Sequence, residues 1–328
     1  LRSGGTDSVA FFGPSGDNKF GYGAFHRGGD LLYVGNRTQP AIVIIDMTTL
    51  SPVIGVDLSG GGGIAFDGTG SIGWVSDVQL SPGRKQEFLY AVVNTGTHGG
   101  SVAGFGFPPG GGTSGTDVVR LDRLTLAEVD RVSLVSGLGF EAGGRDLSQS
   151  KDGNTGAVPV QGAGLVFLLD LNPMGVITSF DVSTTSIQPM EVALSPDAST
   201  IYVSHRGNDG TLDVIDVAGG TITPLAPPTL LFNNPGQLDF GPDGRLYYIR
   251  LGNVSVYNPR TTTWTEVSAS INARALAFSR GTYYVIDKNG TIFPFDTATD
   301  APATAEATGA TSIPTGGGAA HGLALSRS

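Results

Sequence analysis

The sequence predicts an all-β protein, a seven-bladed β-propeller of four-stranded antiparallel blades, and two observations carry this prediction. The first is composition: 51 glycines and 19 prolines among 328 residues accompany a hydrophobic fraction of 39%. This indicates a turn-rich chain that still has enough apolar residues for a packed core. The second is a sequence unit of about 46 residues that recurs along most of the chain. Both observations favour many short strands joined by tight turns.

The repeated unit is clearest in two stretches. The first runs from Glu191 to Asp216 and the second from Gln237 to Asn258. In each, apolar runs of four to six residues, rich in Val, Ile and Tyr, are separated by turns of the Pro-Asp type, which indicates four strands. A four-stranded sheet buries its faces only against neighbouring sheets, so the repeat predicts a ring of them.

The repeat spans the chain, so we expect a single domain covering residues 1–328, with a long inserted loop near 106–117. The last unit supplies an innermost strand at Leu323–Ser326, and its outer strands must come from the N-terminal end. Ser8–Phe12 offers one strand and Asn18–Tyr22 part of another. We therefore expect N- and C-terminal strands to close the ring, which removes an exposed edge. Six blades, or a strand supplied by another chain, remain open alternatives.

Two segments resemble a known repeat. The stretch Val192–Asp216 contains Leu-Ser-Pro-Asp, Tyr-Val-Ser-His and Val-Ile-Asp, and Leu32–Asn36 with Val43–Asp46 is similar. These segments resemble the YVTN-type propeller repeat of the lactonase-like superfamily. The resemblance implies a protein of the cell surface, periplasm or extracellular medium, and related lactonase-type propellers include hydrolases of sugar lactones. The repeat itself specifies architecture and carries no catalytic residue.

Charge and cysteine content restrict the partners. Nineteen basic residues against 29 acidic ones give a net charge of −10, with no cysteine. Such a surface repels nucleic acid and anionic membranes, and the chain cannot form disulfides or cysteine-ligated metal sites. The longest aliphatic stretches, Ala41–Ile45 and Leu165–Leu169, are too short to cross a bilayer. We expect no nucleic-acid partner and no transmembrane segment.

Aligning the repeats predicts one place where polar residues converge, the mouth of the central channel. The loop entering each innermost strand and the loop after each second strand open on this face. The alignment puts Asp77, Asp146, Glu191 and Gln237 at one equivalent position. The predicted ligand-binding residues are Arg145, Asp146, Glu191, Gln237, Arg274, His321, His205 and Arg206.

Three interpretations of the mouth remain open. The first is a salt-bridged scaffold face with no catalytic residue and no cofactor. The second is a lactonase-like hydrolase, in which Glu191 or Asp146 acts as general base, or these two bind Ca²⁺ together with Asp77. Arg145 and Arg274 would then hold a carboxylate or phosphate. The third is a periplasmic metal or redox-partner protein that uses the histidines, although no short spacing of metal-ligand type links them.

The sequence favours a non-catalytic, exported propeller that acts as a binding scaffold or as a subunit of a cell-surface or extracellular assembly. We expect a protein or glycan partner at the channel mouth or at the inserted loop, with self-assembly by strand pairing as a further option. No metal site is assigned. Aspartates at the ends of the third strands are expected to shape turns rather than bind a ligand.

Overall fold

The computed structural model of the chain describes residues 8–12, 20–25, 31–36, 41–46, 51–57, 73–82, 86–95, 113–139, 143–183, 188–206, 210–228, 235–250, 252–267, 271–279, 281–287, 291–303, 313–314 and 320–325. Within these ranges the chain forms twenty-six β-strands and one three-residue 3-10 turn at Gln161–Ala163. The prediction of an all-β protein is confirmed. Among the same residues no helix reaches the length and apolarity needed to cross a bilayer.

The strands are short and follow one another at regular intervals. In chain order they are β1 (Ser8–Phe12), β2 (Phe20–Phe25), β3 (Leu31–Asn36), β4 (Ala41–Asp46), β5 (Ser51–Asp57), β6 (Gly73–Leu80), β7 (Phe88–Thr95), β8 (Thr113–Asp122), β9 (Glu128–Gly139), β10 (Ser148–Gln149), β11 (Thr155–Val160), β12 (Leu165–Leu171), β13 (Met174–Asp181), β14 (Pro189–Leu194), β15 (Thr200–His205), β16 (Leu212–Asp216), β17 (Ile222–Leu225), β18 (Pro235–Phe240), β19 (Leu246–Arg250), β20 (Asn253–Asn258), β21 (Thr263–Val267), β22 (Ala273–Ser279), β23 (Thr282–Asp287), β24 (Thr291–Asp296), β25 (Ile313–Pro314) and β26 (Ala320–Leu325).

Consecutive strands pair into sheets. In the described ranges, six four-stranded antiparallel sheets each take four successive strands: β2–β5, β6–β9, β10–β13, β14–β17, β18–β21 and β22–β25. The first strands of successive sheets contact one another, as β2 does β6 and β14 does β18. The predicted four-stranded antiparallel unit is confirmed, and its repetition matches the sequence unit.

The core lies between neighbouring sheets. In β7, Leu89, Ala91 and Val93 pack into one buried cluster with residues of β3 and β4, whereas Tyr90 and Val92 pack into another with residues of β11 and β12. Successive side chains of a strand point to opposite faces, so one strand contributes to both interfaces. β7 is therefore apolar from Leu89 to Val93, and burial of both faces of a strand explains such continuous apolar runs in the sequence.

Turns after the third strands are held by their aspartates. The side-chain oxygens accept backbone N–H bonds from residues two or three positions ahead, which satisfies donors that the turn would leave unpaired. The residues whose bonds show this are Asp122, Asp170, Asp216, Asn258 and Asp296. The predicted structural role of this recurring position is confirmed for these five residues.

The first and the last described strands pair with each other. β1 pairs antiparallel with β26, with Ser8 opposite Leu325 and Val9 opposite Ala324, and β26 also contacts β2 and β22. We expected Asn18–Tyr22 to form part of an outer strand of the last repeat unit, and this prediction is wrong. β2 starts at Phe20 and pairs with β3 instead, because Gly23–Phe25 lie opposite apolar residues of β3.

The stretch expected to be an inserted loop near 106–117 is described only from position 113. There β8 begins, and it pairs with β7 and β9. Residues 106–112 lie outside the described residues.

Candidate functional site

The first strands of five of the four-stranded sheets carry an irregularity near the residue where they begin. The pairing register slips by one residue between Val75 and Asp77 in β6, and equivalent slips occur near the starts of β2, β14, β18 and β22. A β-bulge of this kind redirects a side chain away from the regular alternation. We call this end of the sheets, where first strands begin and second strands end, the mouth end.

The redirected side chains bond the next sheet. Oδ2 of Asp77 accepts a hydrogen bond of 3.0 Å from the backbone N–H of Leu147. Oδ2 of Asp146 accepts one of 3.1 Å from the N–H of Val192, and Oε1 of Gln237 accepts one of 2.9 Å from Leu276. In every case the donor lies one residue past the equivalent position of the following sheet. The position is thus built to join neighbouring sheets.

Two of these carboxyl groups have unusual acidity. Asp77 is fully buried, accepts bonds from Val78 and Gln79, and is in hydrogen-bonding contact with Asp146. Burial raises the pKa of Asp77 from 3.8 to about 6. Burial, followed by the negative charges of Glu191 and Asp77, raises the pKa of Asp146 well above 3.8. Because the two carboxyl groups are close together and buried, the pair retains a proton at a pH at which a single carboxyl group in water would be ionised.

A buried polar cluster lies where the second sheet (β6–β9) meets the third (β10–β13). We call such a contact between neighbouring sheets, held by side-chain to backbone hydrogen bonds, a joint. The amide of Asn94 brackets the backbone of Gly144, donating to its carbonyl at 3.0 Å and accepting from its N–H at 2.8 Å. Thr116 donates to Asn94 at 2.9 Å, and Ser76 donates to the Gly144 carbonyl at 2.7 Å. Three of these four bonds involve the backbone of Gly144, two residues before Asp146. The cluster therefore positions the carboxyl pair.

A buried side chain near the end of a second strand contacts an acidic residue in two of the sheets. His205 is 1% exposed, and its Nε2 lies 2.8 Å from Oδ2 of Asp213, at an angle too bent for a hydrogen bond. Arg250, at the equivalent place in β19, is also buried and pairs with Glu266 at 2.6 Å. The contact of His205 joins the second strand of its sheet to the third strand, and the contact of Arg250 joins the second strand of its sheet to the fourth.

The remaining predicted residues are less enclosed. Arg145 is half-buried and donates through Nε to Oε1 of Gln161 at 2.8 Å. Arg206 is half-buried, and Arg274 is exposed. His321 belongs to β26, and its side chain lies outside the described residues.

The structure brings Asp77, Asp146 and Glu191 into electrostatic contact. The sequence analysis did not identify Asp213 or Gln161. The feature that could have indicated them is a polar residue inside, or directly after, an apolar run that forms a buried strand. Among the described residues no three His, Asp or Glu side chains are grouped to hold a metal ion.

Comparison with known proteins locates the fold. No family model matches this sequence, and no curated protein matches it. Among solved structures, hydrazine synthase of Kuenenia stuttgartiensis is similar with a TM-score of 0.63 and 14% identity, over 97% of this chain and 94% of the other. A functionally unknown protein from Desulfotomaculum acetoxidans is similar with a TM-score of 0.60 and 14% identity, over 98% and 96%.

A third similar structure is the β-propeller domain of Cps50 (Swd1) from Myceliophteria thermophila. Its TM-score is 0.60, with 11% identity over 97% of this chain and 93% of that one. At such identities the likeness concerns the fold alone. Together with the repeated four-stranded antiparallel sheets, it supports one conclusion: this chain has a β-propeller fold.

Proposed function

We propose that this chain is a non-catalytic, exported β-propeller that serves as a binding scaffold or as a subunit of a cell-surface or extracellular assembly. In this proposal the propeller has seven blades, and the paired strands β1 and β26 belong to the blade that closes the ring. The repeat is of the YVTN type. A protein or glycan partner is bound at the mouth end.

The observation that carries the proposal is that polar side chains at the mouth end are hydrogen-bonded to the protein's own backbone. Asp77, Asp146 and Gln237 accept backbone N–H bonds from the next sheet. A general base needs a free lone pair directed at a substrate. Groups that are already hydrogen-bonded within the scaffold suit a rigid support better than a reaction centre.

In this proposal the partner is bound by those side chains at the mouth end that are accessible to solvent. Arg274 is exposed and Arg206 is partly exposed. The repeats predict Arg274 just before the aligned position of an innermost strand, and Arg206 in the loop after a second strand. A guanidinium binds a carboxylate through two parallel hydrogen bonds. The proposal therefore favours a partner that presents carboxylates, such as an acidic glycan or an acidic protein segment.

An array of immobilised neutral and uronic-acid-containing glycans tests this. We expect wild-type protein to bind uronic-acid glycans and Arg274→Ala to lose at least tenfold in affinity. Arg260→Ala is the matched control, because Arg260 is also exposed and lies in the turn between β20 and β21, away from the mouth end. Equal losses in both variants, or no binding of any glycan, would count against this recognition mode.

One observation favours a second function, a lactonase-like hydrolase. The pKa of Asp77 is raised to about 6 by burial, and perturbed carboxyl pairs are common at catalytic sites. Hydrolysis of a panel of sugar lactones, followed by pH-stat titration with and without Ca²⁺, tests this function. Turnover that disappears in Asp146→Asn while the variant keeps its fold would replace the scaffold proposal.

A further inference from the structure

The exposed large apolar side chains of the described residues are concentrated on one part of the outer rim. They are Leu124, Val129, Val176 and Ile177. Leu124 lies in the turn between β8 and β9, Val129 in β9, and the other two in β13. β9 and β13 are the outermost strands of neighbouring sheets and contact each other. An apolar group on the outer strands of an acidic protein is unusual and calls for an explanation.

β13 presents an open strand edge. Within the described part of the chain it pairs with β12 alone. Four consecutive residues, from Val176 to Ser179, are exposed, and Ile177 is 55% exposed. The pairing skips Ile177, since Val176 lies opposite Leu169 and Thr178 opposite Leu168. This bulge breaks the alternation and leaves two adjacent apolar side chains in solvent.

The other outermost strands carry the usual protection against edge pairing. Proline or charge inside an edge strand prevents another strand from adding to it. Among the described residues, the outermost strand of each of the other five four-stranded sheets has such a residue: Pro52 in β5, Glu128, Asp130 and Arg131 in β9, Pro224 in β17, Glu266 in β21 and Pro314 in β25. In β13 the first seven residues contain neither, and the only charge is Asp181 at its end.

We propose that β13 is a self-association edge, at which it pairs antiparallel with β13 of a second copy of this chain across a two-fold axis. A two-fold contact uses the same patch on both partners, so the strand must be complementary to itself. A register with Ile177 opposite Thr178 meets this requirement, because Asp181 then falls opposite Met174 rather than opposite another Asp181. Gly175 then lies opposite Phe180 and Val176 opposite Ser179. The N–H of Met174 is donated to Oδ2 of Asp130, so the strand pairing uses residues 175–180.

The charge distribution favours a second copy at this edge over contact through the acidic surface. Each copy carries a net charge of −10, so contact through an acidic surface is repelled. The seven residues from Met174 to Phe180 are uncharged, and the adjacent Val129 extends the apolar surface. This pairing gives one partner for the assembly role under "Proposed function". The self-association would serve the assembly role of the proposed function. It does not require a ligand at the mouth end, because it involves the outer rim.

Sedimentation of the purified chain over 1 µM to 1 mM tests the proposal. We expect reversible dimers of twice the 33.6 kDa of one chain, with a Kd on the order of 10 µM, because one pair of edge strands buries a small interface. Raising the salt concentration should strengthen association, since it screens repulsion between two acidic copies. Hydrogen exchange should slow in residues 175–180 as the protein concentration rises.

Ile177→Lys introduces the missing charge at an exposed position and should raise the Kd at least tenfold. Leu124→Lys is the matched control, because Leu124 is still more exposed but lies in a turn with no strand edge. We expect its Kd to stay within twofold of wild type. A wild-type chain that stays monomeric to 1 mM, equal effects of both variants, or protection outside β13 would overturn the proposal. None of these outcomes depends on a ligand at the mouth end, so they leave the glycan-array result independent.

Discussion

Raising the pH from 4 to 7 is expected to destabilise this protein, and the Asp77–Asp146 pair is the reason. Burial raises the pKa of Asp77 from 3.8 to about 6 in the folded chain. The folded state therefore binds a proton more tightly than the unfolded state. The stability that this proton contributes is fully present below the unfolded pKa near 3.8, and it is lost as the pH rises through about 6.

The size of the effect follows from linkage. A change of one in pKa corresponds to 1.36 kcal/mol, so the Asp77 carboxyl accounts for about 3 kcal/mol of unfolding free energy across this range. Asp146 acts in the same direction, because burial and the charges of Glu191 and Asp77 raise its pKa too. Asp122 and Asp296 have pKa values lowered by hydrogen bonds, chiefly from Thr125 and Thr299 respectively. Their contribution is lost only as the pH falls below about 4, so the two effects occupy separate ranges.

Urea denaturation at half-unit pH steps from 4 to 7 measures this dependence. We expect Asp77→Asn to flatten the profile, because the amide keeps an oxygen acceptor for the N–H of Leu147 and cannot ionise. Asp122→Asn should leave the slope between pH 4 and 7 unchanged. A wild-type free energy of unfolding that is constant or rises over this range, or an Asp77→Asn profile parallel to wild type, would refute the reasoning.

Two further substitutions test the joints between sheets by urea denaturation. Gly144→Ala should cost about 1–3 kcal/mol, because its added Cβ would lie 2.6 Å from the methyl carbon of Thr116; Gly175→Ala, where no atom lies within 4 Å of that carbon, should be nearly neutral. Gln237→Leu should cost about 1–3 kcal/mol, because it leaves the N–H of Leu276 without its 2.9 Å acceptor. Gln237→Glu retains an acceptor oxygen and should recover most of the loss, so equal losses in both variants would contradict this.

The sheets could be predicted from the sequence because the pattern of apolar and polar residues in a strand depends on which of its faces are buried. In β7 an unbroken run of apolar residues from Leu89 to Val93 indicates a strand buried on both faces, and both faces are indeed buried. The recurring aspartates at the third-strand ends predict turns by their position alone, and Asp122 and Asp296 hold such turns. Local rules suffice for these features.

The mouth end could be predicted only in part, because its geometry depends on bulges. The repeats place Asp77 and Asp146 at equivalent positions, but regular alternation does not say that a slipped register turns a side chain toward the next sheet. The partners of Asp77 and Gln237 are backbone N–H groups of another sheet, which no side-chain motif reveals. His205 shows the same limit, since Asp213 lies within a strand that reads as ordinary β-structure.

The bonds at the mouth end explain why one position tolerates different residue types. Asp77, Asp146 and Gln237 differ in charge, yet each supplies one oxygen to a backbone donor of the following sheet. The joint needs an acceptor rather than a charge. Neutral Gln237 meets that need alone, whereas the adjacent carboxyls of Asp77 and Asp146 meet it with a shared proton at mildly acidic pH. The joint between the second and third sheets should therefore be the first to weaken as the pH rises, while the joint at Gln237 stays intact.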